Sequence, residues 1–124
     1  MGYCIHKDES VFFIKRTDKK KALAAVKALG DQCWVDGSAV AKCRNLRDAM
    51  HLYAWPIEED EDDNVIDIFF HGEKAGAEAE LFGALAPYVK EGSFIHIIGE
   101  DGGHYRYLFD GKTCEEQTAT LVWE

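Results

Sequence analysis

Five histidines, His6, His51, His71, His96 and His104, are the side chains of this 124-residue chain best suited to acid–base or metal chemistry near neutral pH. No two of them have the helical spacing of a metal-ligand pair. His71 ends one apolar run, His96 lies within another and His104 starts a third. On a common sheet these three could converge, and with Arg106 and a glutamate they would form an acid–base or metal site. On that reading His96, His104 and Arg106 make a ligand pocket. The plainer alternative is that histidine is tolerated in strands and at their ends. The cysteines, Cys4, Cys33, Cys43 and Cys114, form no C-x-x-C pair and match no zinc ribbon or finger. They read as free, mostly buried thiols of a reducing compartment. A Gly-rich phosphate loop, a G-x-S-x-G elbow and an H-E-x-x-H pair are all absent from the sequence. A cysteine nucleophile would need a neighbouring histidine, and adjacency supplies none. No catalytic residue, metal ligand or cofactor is therefore assigned.

A second kind of chemistry is electrostatic. Glu58, Glu59, Asp60, Glu61, Asp62 and Asp63 are consecutive and carry six of the nine net negative charges. Adjacent like charges repel and resist packing, so the run reads as a solvated loop. Its functional reading is a phosphate-mimicking surface that docks on a basic partner protein. A calcium loop is disfavoured, because the ligand spacing and the glycine of an EF-hand are missing. A chain this acidic repels phosphate backbones, and Lys19-Lys20-Lys21 is its only basic cluster, so direct nucleic-acid binding is not expected.

The elements that must position these residues are legible in outline. Tyr3–His6 and Val11–Ile14 read as a hairpin around a polar Lys7–Ser10 tip. Thr17 or Asp18 caps a helix whose apolar positions Ala22, Leu23, Val26 and Leu29 recur at helical spacing, with Gly30 as its stop. Its first-turn lysines oppose the helix dipole. Gln32–Cys43 reads as short strands and turns. Asn45 caps a second helix, with Asp48 three residues on, and Pro56 ends it. Val65–Phe70 is a strand, apolar on both faces save Asp67, which suggests a central place. A third helix runs from Ala77 to about Val89, kinked or ended early by Pro87.

Ser93 to Trp123 holds the strongest pattern. Apolar and aromatic runs are separated by Asp101-Gly102 and Asp110-Gly111, the signal of a three-stranded antiparallel meander. A two-residue turn at Asp101-Gly102 would pair His96 with Tyr107. It would gather Phe94, His96, Ile98, Tyr105, Tyr107 and Phe109 on one face. That face is either core or a contact patch, and Tyr105 and Tyr107 would be its partner-binding residues. A bulge invited by Gly99 or Gly103 would change the pairing.

Length and composition fit a single α+β domain with an antiparallel sheet of four to six strands, the C-terminal meander and about three helices mainly on one face. No apolar run reaches the ~18 residues of a membrane span, and the N-terminus meets a charge too early for an export signal, so a cytoplasmic setting is expected. Gly72-Glu73-Lys74, Leu81-Phe82, Leu85-Ala86-Pro87-Tyr88-Val89, Gly92-Ser93, Gly99-Glu100-Asp101-Gly102 and Phe109-Asp110 resemble a pattern of small hypothetical proteins of bacteria and their phages. The resemblance covers about half the chain and implies a bacterial or phage cytoplasmic setting, with no activity attached. The function expected on these grounds is an acidic, non-enzymatic inhibitor of the immunity or phage anti-defence type (anti-CRISPR-like, for example) that blocks a basic surface of another protein. The alternatives are a small-molecule binder or enzyme using a pocket between the sheet and the Asn45–Trp55 helix, with His96, His104 and Arg106 nearby, and a homo-oligomer joined through the aromatic face.

Overall fold

In the computed structural model, which describes residues 4–30, 36–72 and 78–118, the C-terminal meander is the centre of a four-stranded antiparallel sheet. Strands β4 (Phe94–Gly99), β5 (His104–Phe109) and β6 (Cys114–Thr118) follow one another, and β1 (Ile5–Val11) pairs with β4 to give the order β1-β4-β5-β6. A separate two-stranded sheet joins β2 (Ile57–Glu59) to β3 (Val65–Ile68). Among the described residues four α-helices complete the α+β fold: α1 (Lys19–Lys27), α2 (Gly37–Ala41), α3 (Leu46–Leu52) and α4 (Glu78–Leu85).

The sheet has one packed and one open face. Along β4 the residues alternate strictly between half-buried and buried, which is the period-2 signature of a sheet covered on one side. Ile95, Ile97, Tyr107 and Phe109 point into the core. There Phe82 of α4 meets Tyr107 at 4.9 Å and Trp55 at 5.0 Å between ring centroids, and Phe12 meets Phe109 at 5.6 Å. These edge-on contacts form the aromatic centre that joins helices to sheet. Trp55 also donates its indole N–H to the buried carboxylate of Glu78 at 3.3 Å.

Several local readings hold. Asn45 Oδ1 accepts from Asp48 N–H at 2.8 Å and starts α3. Gly30 takes a φ of +67° two residues beyond the Ala28 cap of α1. Pro87 sits in a 3-10 turn, Ala86–Tyr88, that ends α4 early.

Others are corrected. Lys7–Ser10 is not a hairpin tip: it lies inside β1, because β4 uses its backbone for pairing. Tyr3 lies outside the described residues. Ala39–Ala41 belongs to helix α2, started by Asp36, whose Oδ1 accepts from Ser38 N–H at 2.9 Å. Cys33, Trp34 and Val35 lie outside the described residues. The acidic run is no irregular loop. Glu58 and Glu59 are strand residues, and Asp60 organises the β2–β3 turn by accepting from the N–H groups of Asp62 and Asn64, both at 2.9 Å. Asp63 closes that turn in the left-handed region at φ +64°. Lys19 pairs with Glu59, which gives one of the first-turn lysines of α1 a partner. β3 is not central; it pairs with β2 alone, while Val65 exchanges backbone hydrogen bonds with Ile14 at 2.9 and 3.0 Å. Ile66 within β3 is 39% exposed, and Phe69, just beyond its end, is 41% exposed.

The β4–β5 register differs by one residue from the sequence expectation. The loop holds three residues, Glu100, Asp101 and Gly102, with Gly102 at φ +82° and Gly99 N–H bonded to Gly103 O at 2.8 Å. His96 therefore faces Arg106, not Tyr107. A slip of one residue sends every β5 side chain to the opposite face. The tyrosines and Phe109 go to the core side, and His104, Arg106 and Leu108 join Phe94, His96 and Ile98 on the open side. β6 starts at Cys114, and the Leu121-Val122-Trp123 end of the expected run lies outside the described residues.

Candidate functional site on the open sheet face

A β-bulge aims the acidic side of the site. Lys7 pairs with Ile97 and Ser10 with Ile95, so two residues, Asp8 and Glu9, stand opposite the single residue His96. Both acidic side chains are exposed on the open side. The bulge is pinned from the other side of the sheet. Lys7 Nζ donates to Ser10 Oγ at 2.8 Å, and Ser10 Oγ donates to Asp67 Oδ1 of β3 at 2.6 Å. Asp67, the one charged residue of that strand, thereby holds the bulge of its neighbour.

One cross-strand row results. Asp8 and Glu9 on β1, His96 on β4, Arg106 on β5 and Gln117 on β6 lie side by side. His104 lies diagonally from His96, two residues along β5 from Arg106. Asp8 Oδ2 is 3.1 Å from His96 Nδ1, and His96 Nε2 is 2.9 Å from His104 Nδ1. Arg106 Nε donates to Gln117 Oε1 at 2.7 Å. A groove of about 430 Å3 runs over this row, with Glu9, Phe94, His96, His104, Arg106 and Gln117 in its lining.

The contacts dictate where protons sit. An ionised Asp8 only accepts, so His96 carries its proton on Nδ1. In the neutral ring His96 Nε2 then accepts from Nδ1–H of His104. This leaves the lone pair of His104 on Nε2, the ring nitrogen not engaged by His96. When Nε2 takes up a proton, the Nδ1 proton of His104 can pass to His96. The positive charge then rests beside the Asp8 carboxylate. Asp8, His96 and His104 thus form a hydrogen-bonded chain from the groove to the half-exposed Asp8 carboxylate, the arrangement by which general acid–base groups are oriented.

The ionisable groups under the sheet do not share in this chemistry. Burial, reinforced by the hydrogen bond that Tyr107 donates to Glu116 Oε1 at 2.9 Å, pushes the Tyr107 hydroxyl far above the usual phenol range. Burial likewise raises the Cys114 thiol to about 12. Both stay protonated and neutral near pH 7.

Of the residues singled out from the sequence, His96, His104 and Arg106 come together, but on the open face and not between the sheet and the Asn45–Trp55 helix, none of whose residues line the groove; His71 packs edge-on against His51 with centroids 4.9 Å apart. Tyr107 is 5% exposed and Tyr105 half-buried. Within the acidic run, Glu59 is paired with Lys19 and Asp60 is engaged in its turn, while Glu58, Glu61, Asp62 and Asp63 are exposed. Sequence reasoning missed Asp8, Glu9 and Gln117 as site residues. The first two read as a solvated tip, and nothing in local composition marks a bulge. Among the described residues no three His, Cys, Asp or Glu side chains are grouped as metal ligands, and no helix is long and apolar enough to cross a membrane. Comparison of the chain with protein-family models, curated proteins and solved structures finds no match.

Proposed function

We propose that the open face of the four-stranded sheet is a small-molecule site with acid–base capability. His104 meets the ligand, His96 and Asp8 stand behind it, and Arg106 flanks it. The observation that carries this reading is the Asp8–His96–His104 chain in a groove of about 430 Å3. Isolated surface histidines need no such alignment. Here the three-residue hairpin loop brings His96 and His104 together, and the braced bulge sets Glu9 beside Asp8. The acidic-inhibitor reading has less behind it, because two of its six carboxylates are committed to contacts within the fold.

An NMR fragment screen tests the proposal. Binding fragments should shift the ring resonances of His96 and His104 and the amides of β4 and β5, and His104→Ala should abolish those shifts. Fragments that bind only elsewhere, or no binding at all, would remove the proposal.

A further inference from the structure

The row across the sheet carries opposite charges at its two ends. Glu9 stands in the bulge on one side of His96, and Arg106 is paired with His96 on the other. Both line the same groove. They are two strand spacings apart, about 10 Å. Neither is neutralised by another side chain among the described residues. The Arg106 guanidinium is held at Nε by Gln117, a neutral partner, and no acidic side chain pairs with it among the described residues. The Glu9 carboxylate likewise has no ion pair among them. Asp8 differs, since it is committed to His96.

This distribution selects against singly charged ligands. An anion drawn to Arg106 meets the carboxylates of the bulge, and a cation drawn to Glu9 meets the guanidinium. A molecule with both charges, suitably separated, satisfies both ends. Resting on the small-molecule reading above, we propose that the ligand is a small zwitterion. Its ammonium lies on Glu9, its carboxylate on the Nη groups of Arg106, and its middle over the His96–His104 pair. Short peptides and ω-amino acids share this chemistry. A peptide would in addition lay its amide across the two imidazoles.

Alanyl-alanine and 6-aminohexanoate are the probes, titrated into the full chain while the His104 ring and the β4–β5 amides are followed by NMR. N-acetyl-alanyl-alanine lacks the ammonium, and alanyl-alanine amide lacks the carboxylate. Each loss should weaken binding about tenfold, as expected for a hydrogen bond to a charged group. Glu9→Gln should erase the difference between the dipeptide and its acetylated form and leave the difference from the amide. Arg106→Gln should do the reverse. Tighter binding of the dipeptide than of 6-aminohexanoate assigns peptides as the source; the opposite order assigns ω-amino acids. Binding of both singly charged forms as tight as that of the dipeptide, or indifference to both substitutions, overturns the zwitterion. So does a groove that binds neutral fragments and neither zwitterion, and that result leaves the small-molecule site standing. A groove that binds nothing overturns both.

Discussion

Nε2 of His96 lies 2.9 Å from Nδ1 of His104, with the two rings on neighbouring strands and tilted 31° to each other. The contact assigns tautomers. With both rings neutral, long-range proton–nitrogen correlation spectra should show His96 and His104 each protonated on Nδ1. Asp8→Ala removes the acceptor that holds the His96 proton there, and the Nδ1–H population of His96 should fall. A His96 protonated on Nε2 in the unmodified protein would refute the relay.

Two glycines should respond in opposite directions to the same substitution. Gly102 sits at φ +82° in the β4–β5 loop, where a side chain is strained. Gly102→Ala should cost about 1–2 kcal/mol. Gly83 lies within α4 at ordinary helical φ, and a Cβ there would meet nothing within 4 Å. Gly83→Ala should stabilise by about 0.5–1 kcal/mol. Urea denaturation of the two variants checks both signs. A stabilising Gly102→Ala would mean that the three-residue loop, and the register it sets, is wrong.

Phe82 is fully buried and touches the rings of Trp55, Tyr107 and Phe109. Phe82→Ala should remove about 3–5 kcal/mol of stability. Leu52, 39% exposed, is the control, and Leu52→Ala should change stability by no more than about 1 kcal/mol. Equal losses in chemical denaturation would contradict the packing of α4 on the sheet.

The turn carboxylates predict an acid limb. Backbone N–H groups hold Asp60 and Asp110 below the usual carboxylate value: those of Asn64 and Asp62 for Asp60, and those of Thr113 and Lys112 for Asp110. A carboxylate more acidic in the folded than in the unfolded chain favours the fold while it is ionised. That contribution is complete above about pH 4 and is lost as pH falls through the folded value. Thermal midpoints should therefore fall below about pH 4. Asp110→Asn, which keeps acceptors without titrating, should make the fall shallower. An unchanged slope would show that these bonds do not differ between folded and unfolded chains.

The fold was readable wherever a single residue commands its own backbone. Asn45, Pro87 and Gly30 act within one turn, and each is found at a helix end. The meander was readable from its Asp-Gly punctuation. Its register was not, because loops of two and three residues use the same letters and differ only in where Gly102 turns. The bulge was not readable either. It depends on Asp67, far away in sequence, reaching Ser10. The His96, His104 and Arg106 set could be named from residue type, but its assembly waited on the β4–β5 register, and the carboxylates beside it waited on the bulge. The polar character of Lys7–Ser10 misled for a related reason: a strand at a sheet edge with an open face tolerates charge as readily as a turn does.

The bulge also makes the first strand one residue longer than its ladder requires. Removing Glu9 would let Lys7, Asp8 and Ser10 meet Ile97, His96 and Ile95 in unbroken alternation, inward, outward, inward. The surplus residue leaves the phase of everything before it unchanged. What it adds is a second carboxylate beside the first, so the groove could trade away that charge by a single-codon deletion without disturbing the architecture that supports it.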